Sequence, residues 1–453
     1  MNSTTSSQSV SHLGKHRSSK PTTINRRLGA TENIYYFLDQ LYCLNFIIFV
    51  EITGSLQIDQ INEALKAVQA EQPLLRARIA LIDGHYWFKP VATKDFPLKA
   101  QTGPLMGWRN QVAAQLDTPF VDDAPLARFF WFDGHGKKAV AAMAFHHSIA
   151  DGKSGMDVFI EVLRRAGGED SPLRYRRAHP SAQDLDLIKS KTAWQSSLQR
   201  LKYWLKQGRS VLKFPKQLPG FDMSIKAERD IKIIPFQVSA TSSAALLDAC
   251  RAHGTTVHGA LGAAQILALN DEFDTAEDRY LALNSLADLR GVLKGDLTEF
   301  DLGLYIATLT TVHEVAAEPD FWALAIDIRS QLQSILQSGD ADLVHSIYRD
   351  DTLFPRNKTG ARMVHAMVAL APPSSMLTNI GKVDKLTLAN GTSVDSVAFA
   401  VTGPTLHPIC ITATSYADRM YMNLVYDVLK LSESQARRIA KSVRRYLKIA
   451  AGT

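Results

Sequence analysis

A pair of adjacent histidines followed by an aspartate and a glycine is the feature of the sequence best suited to catalysis. The segment reads Phe145-His146-His147-Ser148-Ile149-Ala150-Asp151-Gly152. An apolar run precedes it and a helical pattern follows it, which places it at a corner between a strand and a helix. Histidine is the side chain best suited to move a proton near neutral pH. The segment therefore predicts an enzyme in which one of these histidines acts as a general base.

Several interpretations of the histidine pair compete. A metal site with Asp151 as third ligand is disfavoured, because adjacent residues on a strand point to opposite faces of the sheet. A buried structural pair is the default for an isolated histidine dipeptide. The aspartate and glycine at the same corner favour a third interpretation, in which one histidine faces a cavity and the other supports the structure. Asp151 would then pair with a buried arginine, and Gly152 would allow a tight turn or bring an N–H close to substrate.

The segments around this corner predict a mixed α/β structure. Ala139 to Phe145 is a nearly continuous apolar run, as in a strand buried on both faces. Apolar residues at helical spacing follow from Met156 to Leu163, and Gly167-Gly168 is expected to end that helix. Upstream, Cys43 to Ile52 predicts a strand and Ile58 to Val68 predicts a helix.

The second half of the chain combines strands and helices in a similar way, without a detectable internal repeat. The expected strands are Ile231–Val238, Tyr280–Leu286, Leu302–Val312 and Tyr421–Tyr426. The expected helices are Val257–Leu269, Phe321–Leu336 and a C-terminal helix capped by Ser432. Pro235 lies inside the first of these strands, which predicts an edge strand or a break. Small residues in the helix that starts at Val257 would allow close approach by a neighbouring backbone or a ligand.

Composition shifts along the chain predict four segments. Residues 1–24 are rich in serine and threonine and are expected to form a disordered tail. Residues 25–180 would form an N-terminal lobe that carries the histidine pair, and residues 226–453 a C-terminal lobe. Between them, residues 181–225 predict a basic amphipathic helix and a linker. A solvated helix packed on the protein is the simpler interpretation, and a docking surface for phosphate or an acidic carrier protein is the functional one.

The whole chain has ordinary globular composition, with 453 residues of which 46% are hydrophobic and 21% charged. No run approaches the roughly 18 apolar residues of a membrane span, and no nucleic-acid-binding motif is present. The net charge of +6 favours either an anionic partner or simply solubility. Cys43, Cys250 and Cys410 are far apart, which argues against a disulfide framework and a thiolate zinc site. A reducing, cytoplasmic setting is therefore expected.

Three motifs resemble those of one enzyme superfamily. The HHxxxDG segment from His146 to Gly152 is similar to the signature of the coenzyme A-dependent acyltransferases. This superfamily includes chloramphenicol acetyltransferase-like enzymes, plant BAHD acyltransferases, peptide-synthetase condensation domains and polyketide-associated acyltransferases. Residues 283–290 resemble the DLR segment of condensation-type proteins, and residues 377–381 resemble their SNLG loop. Order and spacing match over about residues 28–450, although the DFGWG motif of the plant enzymes is absent.

The resemblance implies a fold and a set of site residues. The fold would consist of two α/β lobes like chloramphenicol acetyltransferase, with mixed sheets, forming a pseudo-dimeric V around a central tunnel. His147 would be the catalytic histidine and His146 a structural one. Asp151 would pair with Arg290 across the fold. The residues expected in the substrate tunnel are Gly152, Asn379 and Gly381.

The resemblance also implies a reaction. An acyl group would move from a coenzyme A or acyl-carrier-protein thioester to a hydroxyl acceptor, giving an ester in a polyketide or nonribosomal-peptide pathway. No permanently bound cofactor or metal is implied, and the protein is expected to be a monomer. An amine acceptor, giving an amide, is an open alternative because one base serves both nucleophiles. A non-catalytic protein that docks carrier proteins is a rival from another class.

Elementary chemistry agrees with a single histidine base. An alcohol or amine is a weak nucleophile until a base takes its proton during the attack. Neutral His147 can take that proton and return it to the leaving thiolate, so no covalent acyl-enzyme is required. The serine-nucleophile pattern GxSxG is absent, because Gly152-Lys153-Ser154-Gly155 is one residue too short. Oxyanion stabilisation would come from backbone N–H groups or a side chain, for which Asn379 is the candidate.

Overall fold

The described residues form three β-sheets with helices packed on them. In this computed structural model they are residues 22–54, 56–92, 95–176, 179–182, 218–219, 228–273, 279–291, 293, 297, 301–338, 354–369, 374–402 and 407–453. The mixed α/β class predicted from the sequence is confirmed.

The elements follow in chain order. The strands are β1 (Arg26–Arg27), β2 (Asn45–Thr53), β3 (Ala77–Ile82), β4 (His85–Pro90), β5 (Leu98–Thr102), β6 (Ala127–Gly134), β7 (Lys138–His146), β8 (Ile231–Val238), β9 (Arg279–Asp288), β10 (Ile306–Val315), β11 (Ser374–Val383), β12 (Ser393–Val401), β13 (Ile409–Tyr416) and β14 (Arg419–Asp427). The helices are α1 (Ala30–Asp39), α2 (Ile58–Glu71), α3 (Trp108–Gln115), α4 (Gly152–Ala166), α5 (Ala240–Ala252), α6 (Val257–Glu272), α7 (Phe321–Ser338), α8 (Lys358–Val368) and α9 (Glu433–Ala450), with a short 3-10 helix at Pro73–Arg76.

The first sheet has five strands in the order β12-β2-β7-β6-β5. Its central strand β7 is buried from Ala139 to His146, because apolar side chains occupy both faces. β7 pairs antiparallel with β2, so that Asn45 lies opposite His146. Helices α2 and α4 pack against each other beside this sheet. The predicted buried strand, and the helix that begins just after the histidine corner, are therefore confirmed.

Strand β12 belongs to the first sheet although it comes from the C-terminal half of the chain. It pairs antiparallel with β2, with Val397 opposite Val50. Two side chains of the second sheet hold it as well, because Thr412 Oγ1 and Asn423 Nδ2 donate hydrogen bonds to the carbonyl of Phe399 at 2.6 and 2.9 Å. The predicted lobe boundaries did not include this exchange, which joins the two sheets.

The second sheet has six strands in the order β10-β9-β11-β13-β14-β8. β8 lies at its edge and pairs with β14, with Pro235 opposite Asn423. Proline cannot donate a backbone hydrogen bond, and an edge position tolerates this. The predicted edge strand is confirmed. β1, β4 and β3 form the remaining, three-stranded sheet.

The small residues of α6 allow close packing of the neighbouring elements. A Cβ added to Gly259 would lie 2.5 Å from the carbonyl oxygen of Ala325 on α7, and one added to Gly262 would lie 2.8 Å from Leu283 Cδ2 on β9. Of the two explanations considered from the sequence, the structure therefore supports approach by neighbouring protein rather than by a ligand at these two glycines.

Two predicted segments fall mainly outside the described residues. They are the N-terminal tail, of which residues 1–21 are not described, and the basic helix and linker at 181–225, of which residues 183–217 and 220–225 are not described. No helix in the described part of the chain combines the length and hydrophobicity needed to cross a bilayer.

Candidate active site

The histidine corner connects the end of β7 to the start of α4. The strand ends at His146, a turn follows, and Asp151 is the N-cap of the helix. The Asp151 carboxylate accepts hydrogen bonds from Ser154 N at 3.0 Å and from Ser154 Oγ at 3.1 Å. A capping carboxylate of this kind satisfies one of the free N–H groups of the first turn and complements the helix dipole.

Asp151 also joins the two halves of the protein. It is completely buried. Its Oδ2 accepts a hydrogen bond from Tyr305 N at 2.9 Å and lies 2.9 Å from Arg290 Nη2. Its backbone N–H donates to Gly303 O at 3.0 Å. The ion pair with Arg290 that the resemblance implied is thus present, and it fixes the corner against the segment between β9 and β10.

His147 lies in the turn with its imidazole buried at 4% exposure. Its Nδ1 is 3.3 Å from the carbonyl oxygen of Ala150. A carbonyl can only accept, so we assign the ring hydrogen to Nδ1, which leaves the Nε2 lone pair available as a base. The ring lies between Phe46, at 4.7 Å between centroids, and Tyr35, at 5.1 Å. These aromatic contacts restrict its orientation.

Burial lowers the pKa of His147 from the ordinary 6.5 to about 4. The hydrogen bond to Ala150 and the charge of Asp151 oppose this shift but are weaker than the desolvation. The imidazole is therefore neutral at pH 7.

His146 has a different environment from its neighbour. Its Nδ1 accepts a hydrogen bond from Ser148 N at 3.0 Å, and its Nε2 lies 3.3 Å from Asp39 Oδ2 at the end of α1. Burial alone would raise the pKa of Asp39, but the charge and hydrogen bond of His146 lower it. Within the described ranges, no three histidine, cysteine, aspartate or glutamate side chains cluster in a way that could hold a metal ion.

A cavity of about 50 Å³ lies beside His147. Residues of both large sheets line it, among them Phe46 and Phe399 from the first sheet and Leu286 and Ile306 from the second. A water molecule needs roughly 10–15 Å³ of such space, so the cavity admits a few waters, and a substrate must widen it. Its lining combines apolar side chains with the charged groups of Asp151, Lys153, Asp288 and Arg290.

These charged groups form a network from Asp151 to Lys153. Arg290 Nη1 lies 3.1 Å from Asp288 Oδ1, and Lys153 Nζ lies 2.9 Å from Asp288 Oδ2. Burial alone would lower the pKa of Arg290, but the charges of Asp151 and Asp288 raise it. Burial would raise the pKa of Asp288, but the hydrogen bond from Lys153 and the charge of Arg290 lower it. Arg290 and Asp288 are therefore held in their charged forms.

Proteins with this architecture have been solved before. Polyketide synthase associated protein 5 from Mycobacterium tuberculosis matches with a TM-score of 0.66 and 14% identity, covering 95% of this chain and 99% of that one. Trichothecene 15-O-acetyltransferase from Fusarium sporotrichioides matches with a TM-score of 0.70 and 14% identity, covering 96% and 97%. The first condensation domain of the calcium-dependent antibiotic synthetase matches with a TM-score of 0.67 and 16% identity, covering 94% and 96%.

The chain has the same fold as these three proteins. Residues 231–430 also match the family model described as the C-terminus of phthiocerol/phthiodiolone dimycocerosyl transferase. The resemblance and the two-lobed fold predicted from the sequence are thereby confirmed. A comparison with curated protein sequences found no match.

Residues 377–381 were expected to form a loop, and that expectation is wrong. They lie within β11, which carries a bulge between Asn379 and Gly381. Gly381 has a φ of 93°, a conformation that favours glycine. A bulge redirects side chains locally, and Thr378, Asn379 and Ile380 all line the cavity although they are consecutive.

The bulge also orients the amide of Asn379. Gly381 N donates a hydrogen bond to Asn379 Oδ1 at 2.9 Å. The oxygen is thereby assigned, and the amide nitrogen Nδ2 of this cavity residue remains as a donor.

Of the residues predicted for the site, the cavity is lined by His147, Asp151, Gly152, Arg290 and Asn379. Gly381 and His146 are not among the lining residues. Gly381 forms part of the bulge, and the His146 side chain lies against Asp39. Tyr35, Phe46 and Lys153 were not predicted as site residues from the sequence. Lys153 had a usable signal, because it directly follows the HHxxxDG motif. The two aromatic residues had none, since they reach His147 only through tertiary packing.

Proposed function

We propose that this protein is an acyltransferase that moves an acyl group from a thioester to a hydroxyl acceptor, with His147 as general base. The observation that carries the proposal is the position of His147. Its Nδ1 is committed to Ala150 O, and its neutral imidazole borders a cavity lined by both sheets. The Nε2 lone pair is therefore the basic group available to a reactant in this cavity.

The proposed reaction proceeds by direct transfer. The acceptor oxygen attacks the thioester carbonyl carbon while His147 Nε2 takes the hydroxyl proton. The carbon–sulfur bond of the resulting tetrahedral intermediate then breaks. The proton moves from the imidazolium to the leaving thiolate, which gives an ester and a free thiol and restores neutral His147. A base that contributes about 10²–10⁴-fold is expected for such a role.

Asn379 is the proposed donor to the oxyanion. Asn379 lines the same cavity as His147, and the hydrogen bond from Gly381 N to its Oδ1 fixes the amide and leaves Nδ2 as the donor. A preoriented donor stabilises the charge that develops on the carbonyl oxygen without reorganising during the reaction.

A hydroxyl acceptor is favoured by the names of two similar proteins. One solved structure is a trichothecene 15-O-acetyltransferase, and the matching family model is named for a dimycocerosyl transferase. Condensation domains are equally similar in fold, and this keeps amide formation with an amine as the second candidate. The donor is proposed to be a coenzyme A thioester or an acyl carrier protein, since both present the same thioester.

The experiment is acyl transfer measured by thiol release and product mass. Acyl-coenzyme A and an acyl-loaded carrier protein would each be offered with a panel of alcohols and amines. His147→Ala should lower the transfer rate by about 10²–10⁴-fold. The matched control is His253→Ala, because His253 is exposed and stacks on Trp322 at 4.1 Å, away from the cavity.

Transfer by His147→Ala at the wild-type rate would defeat the general-base assignment. A wild-type protein that binds loaded carrier protein but transfers no acyl group would favour the docking role instead. Faster turnover of amines than of alcohols would assign the amide-forming reaction.

A further inference from the structure

We propose that Lys153 binds a carboxylate of the substrate, so that the site selects acyl groups or acceptors with a carboxylate close to the reacting atom. The proposal rests on acyl transfer at His147, as proposed above, and names its substrate class. Lys153 lines the same cavity as His147 and lies in the first turn of α4, next to Gly152.

The ammonium group of Lys153 can change partners at small cost. It lies 2.9 Å from Asp288 Oδ2, and the two side chains are 40% and 27% exposed. A pair this accessible to solvent contributes little to stability. Asp288 keeps partners when Lys153 leaves, because its Oδ1 accepts a hydrogen bond from Arg290 N at 3.1 Å and lies 3.1 Å from Arg290 Nη1.

The other ion pair of the network cannot change partners in this way. Arg290 and Asp151 are only 7% and 0% exposed. Removing one partner from such a pair leaves a buried charge without compensation, which is strongly destabilising. Lys153 is therefore the charge of this network that a ligand can recruit without disturbing the fold.

The position of Lys153 makes the site favour anionic substrates over cationic ones. A cation in the first turn of a helix faces the positive end of the helix dipole and is destabilised there. Asp288 supplies the compensating negative charge in the ligand-free protein. When Lys153 turns toward the cavity, a carboxylate of the substrate can supply this negative charge in place of Asp288. A cationic substrate would meet the ammonium, the helix dipole and an aspartate already engaged by Arg290.

The shared cavity determines where the carboxylate must be. Lys153 and His147 line the same small cavity, so the group that Lys153 binds lies close to the reacting carbonyl or hydroxyl. The phosphates of coenzyme A or a carrier arm are separated from the thioester by the full pantetheine chain and do not meet this condition. The carboxylate must therefore belong to the acyl group or to the acceptor.

The test compares carboxylates with neutral analogues in two arms. The acceptor arm uses β-hydroxybutyrate and β-hydroxybutyramide, and the donor arm uses succinyl-coenzyme A and butyryl-coenzyme A. We expect wild-type kcat/KM to favour the carboxylate in one arm by about tenfold, which corresponds to about 1.4 kcal/mol. Lys153→Met should abolish this ratio, and Lys153→Arg should retain most of it. Lys99→Met, at an exposed lysine of β5, is the matched control and should leave the ratio unchanged.

Binding gives a second measurement that does not depend on turnover. Calorimetry with β-hydroxybutyrate and its amide, and with the two thioesters, should show tighter binding of a carboxylate by wild type and not by Lys153→Met. Acyl transfer without preference in both arms would overturn the lysine proposal and leave the acyltransferase proposal standing. Selective carboxylate binding without any acyl transfer would overturn the acyltransferase proposal and leave the lysine proposal standing. A preference that survives in Lys153→Met, or equal binding of all pairs, also overturns the role of Lys153.

Discussion

Arg290 Nη2 lies 2.9 Å from Asp151 Oδ2, and this buried ion pair joins the histidine corner of the first sheet to the end of β9 in the second. Asp151 receives hydrogen bonds from Ser154 and from Tyr305 N on its two oxygens as well. The same carboxylate thus caps α4 and fixes the turn that carries His147. The geometry of the candidate site and the contact between the two sheets therefore depend on one group.

Replacing Arg290 should destabilise the protein. Arg290→Ala leaves the Asp151 carboxylate buried without its cation, which costs about 3–5 kcal/mol. The free energy of unfolding in urea is the measurement. Arg251→Ala is the matched control, because Arg251 pairs with Asp248 on the surface at 69% and 75% exposure, and should change stability by about 0–1 kcal/mol. A variant at Arg290 as stable as the wild type would show that the ion pair contributes nothing to the fold.

The pH dependence of activity should reflect the buried state of His147. Since its pKa is lowered to about 4, kcat/KM should stay nearly constant from neutral pH down to about pH 5 and then fall. The measurement is the pH–rate profile with a substrate that does not titrate in this range. An acid limb near pH 6.5 would instead indicate a solvated imidazole and an open cavity in the free enzyme.

The same lowered pKa links His147 to stability. The unfolded chain takes up a proton near pH 6.5 while the folded protein resists protonation until about pH 4. The contribution of His147 to the free energy of unfolding is therefore constant above pH 6.5. It falls by about 3 kcal/mol in all as the pH drops from about 6.5 to about 4. His147→Gln should flatten this part of the stability curve in urea unfolding. An equally steep loss of stability in the variant would assign the effect to other groups.

Asn379 should affect turnover more than folding. Asn379→Ala removes the proposed oxyanion donor, and we expect kcat to fall by about 10²-fold or more with a smaller change in KM. Steady-state kinetics with the preferred substrate is the measurement. Asn110→Ala, at an exposed position of α3, is the control. A change in KM alone would show that Asn379 binds the ground state and does not stabilise the oxyanion.

Gly152 should control the width of the cavity. A Cβ at this position would lie 3.2 Å from Ile380 Cδ1, which is closer than ordinary contact. Gly152→Ala should therefore displace Ile380 within the cavity and lower kcat/KM by about tenfold, since small misplacements are costly at a reacting centre. Shortening the neighbour in Gly152→Ala/Ile380→Val should restore part of the loss. Gly291→Ala is the control, since its added Cβ would meet no atom within 4 Å. Equal kinetics in all variants would show that this contact does not restrict substrate.

Local patterns were sufficient for much of the architecture. The apolar run of β7, the helical spacing after Asp151 and the proline in β8 each predicted an element that the structure contains. These features depend on residues close together in sequence, since periodicity, caps and backbone restrictions act over one or two turns. The HHxxxDG motif located the corner for the same reason.

The chain by itself thus determined the corner, the order of its elements and, through motif spacing, the two-lobed fold. The tertiary structure alone decided three features of the site: the exchange of β12 into the first sheet, the pairing of Lys153 with Asp288, and the low pKa of His147. Each results from groups far apart in the chain that folding brings together, and desolvation in particular depends on everything that surrounds a group.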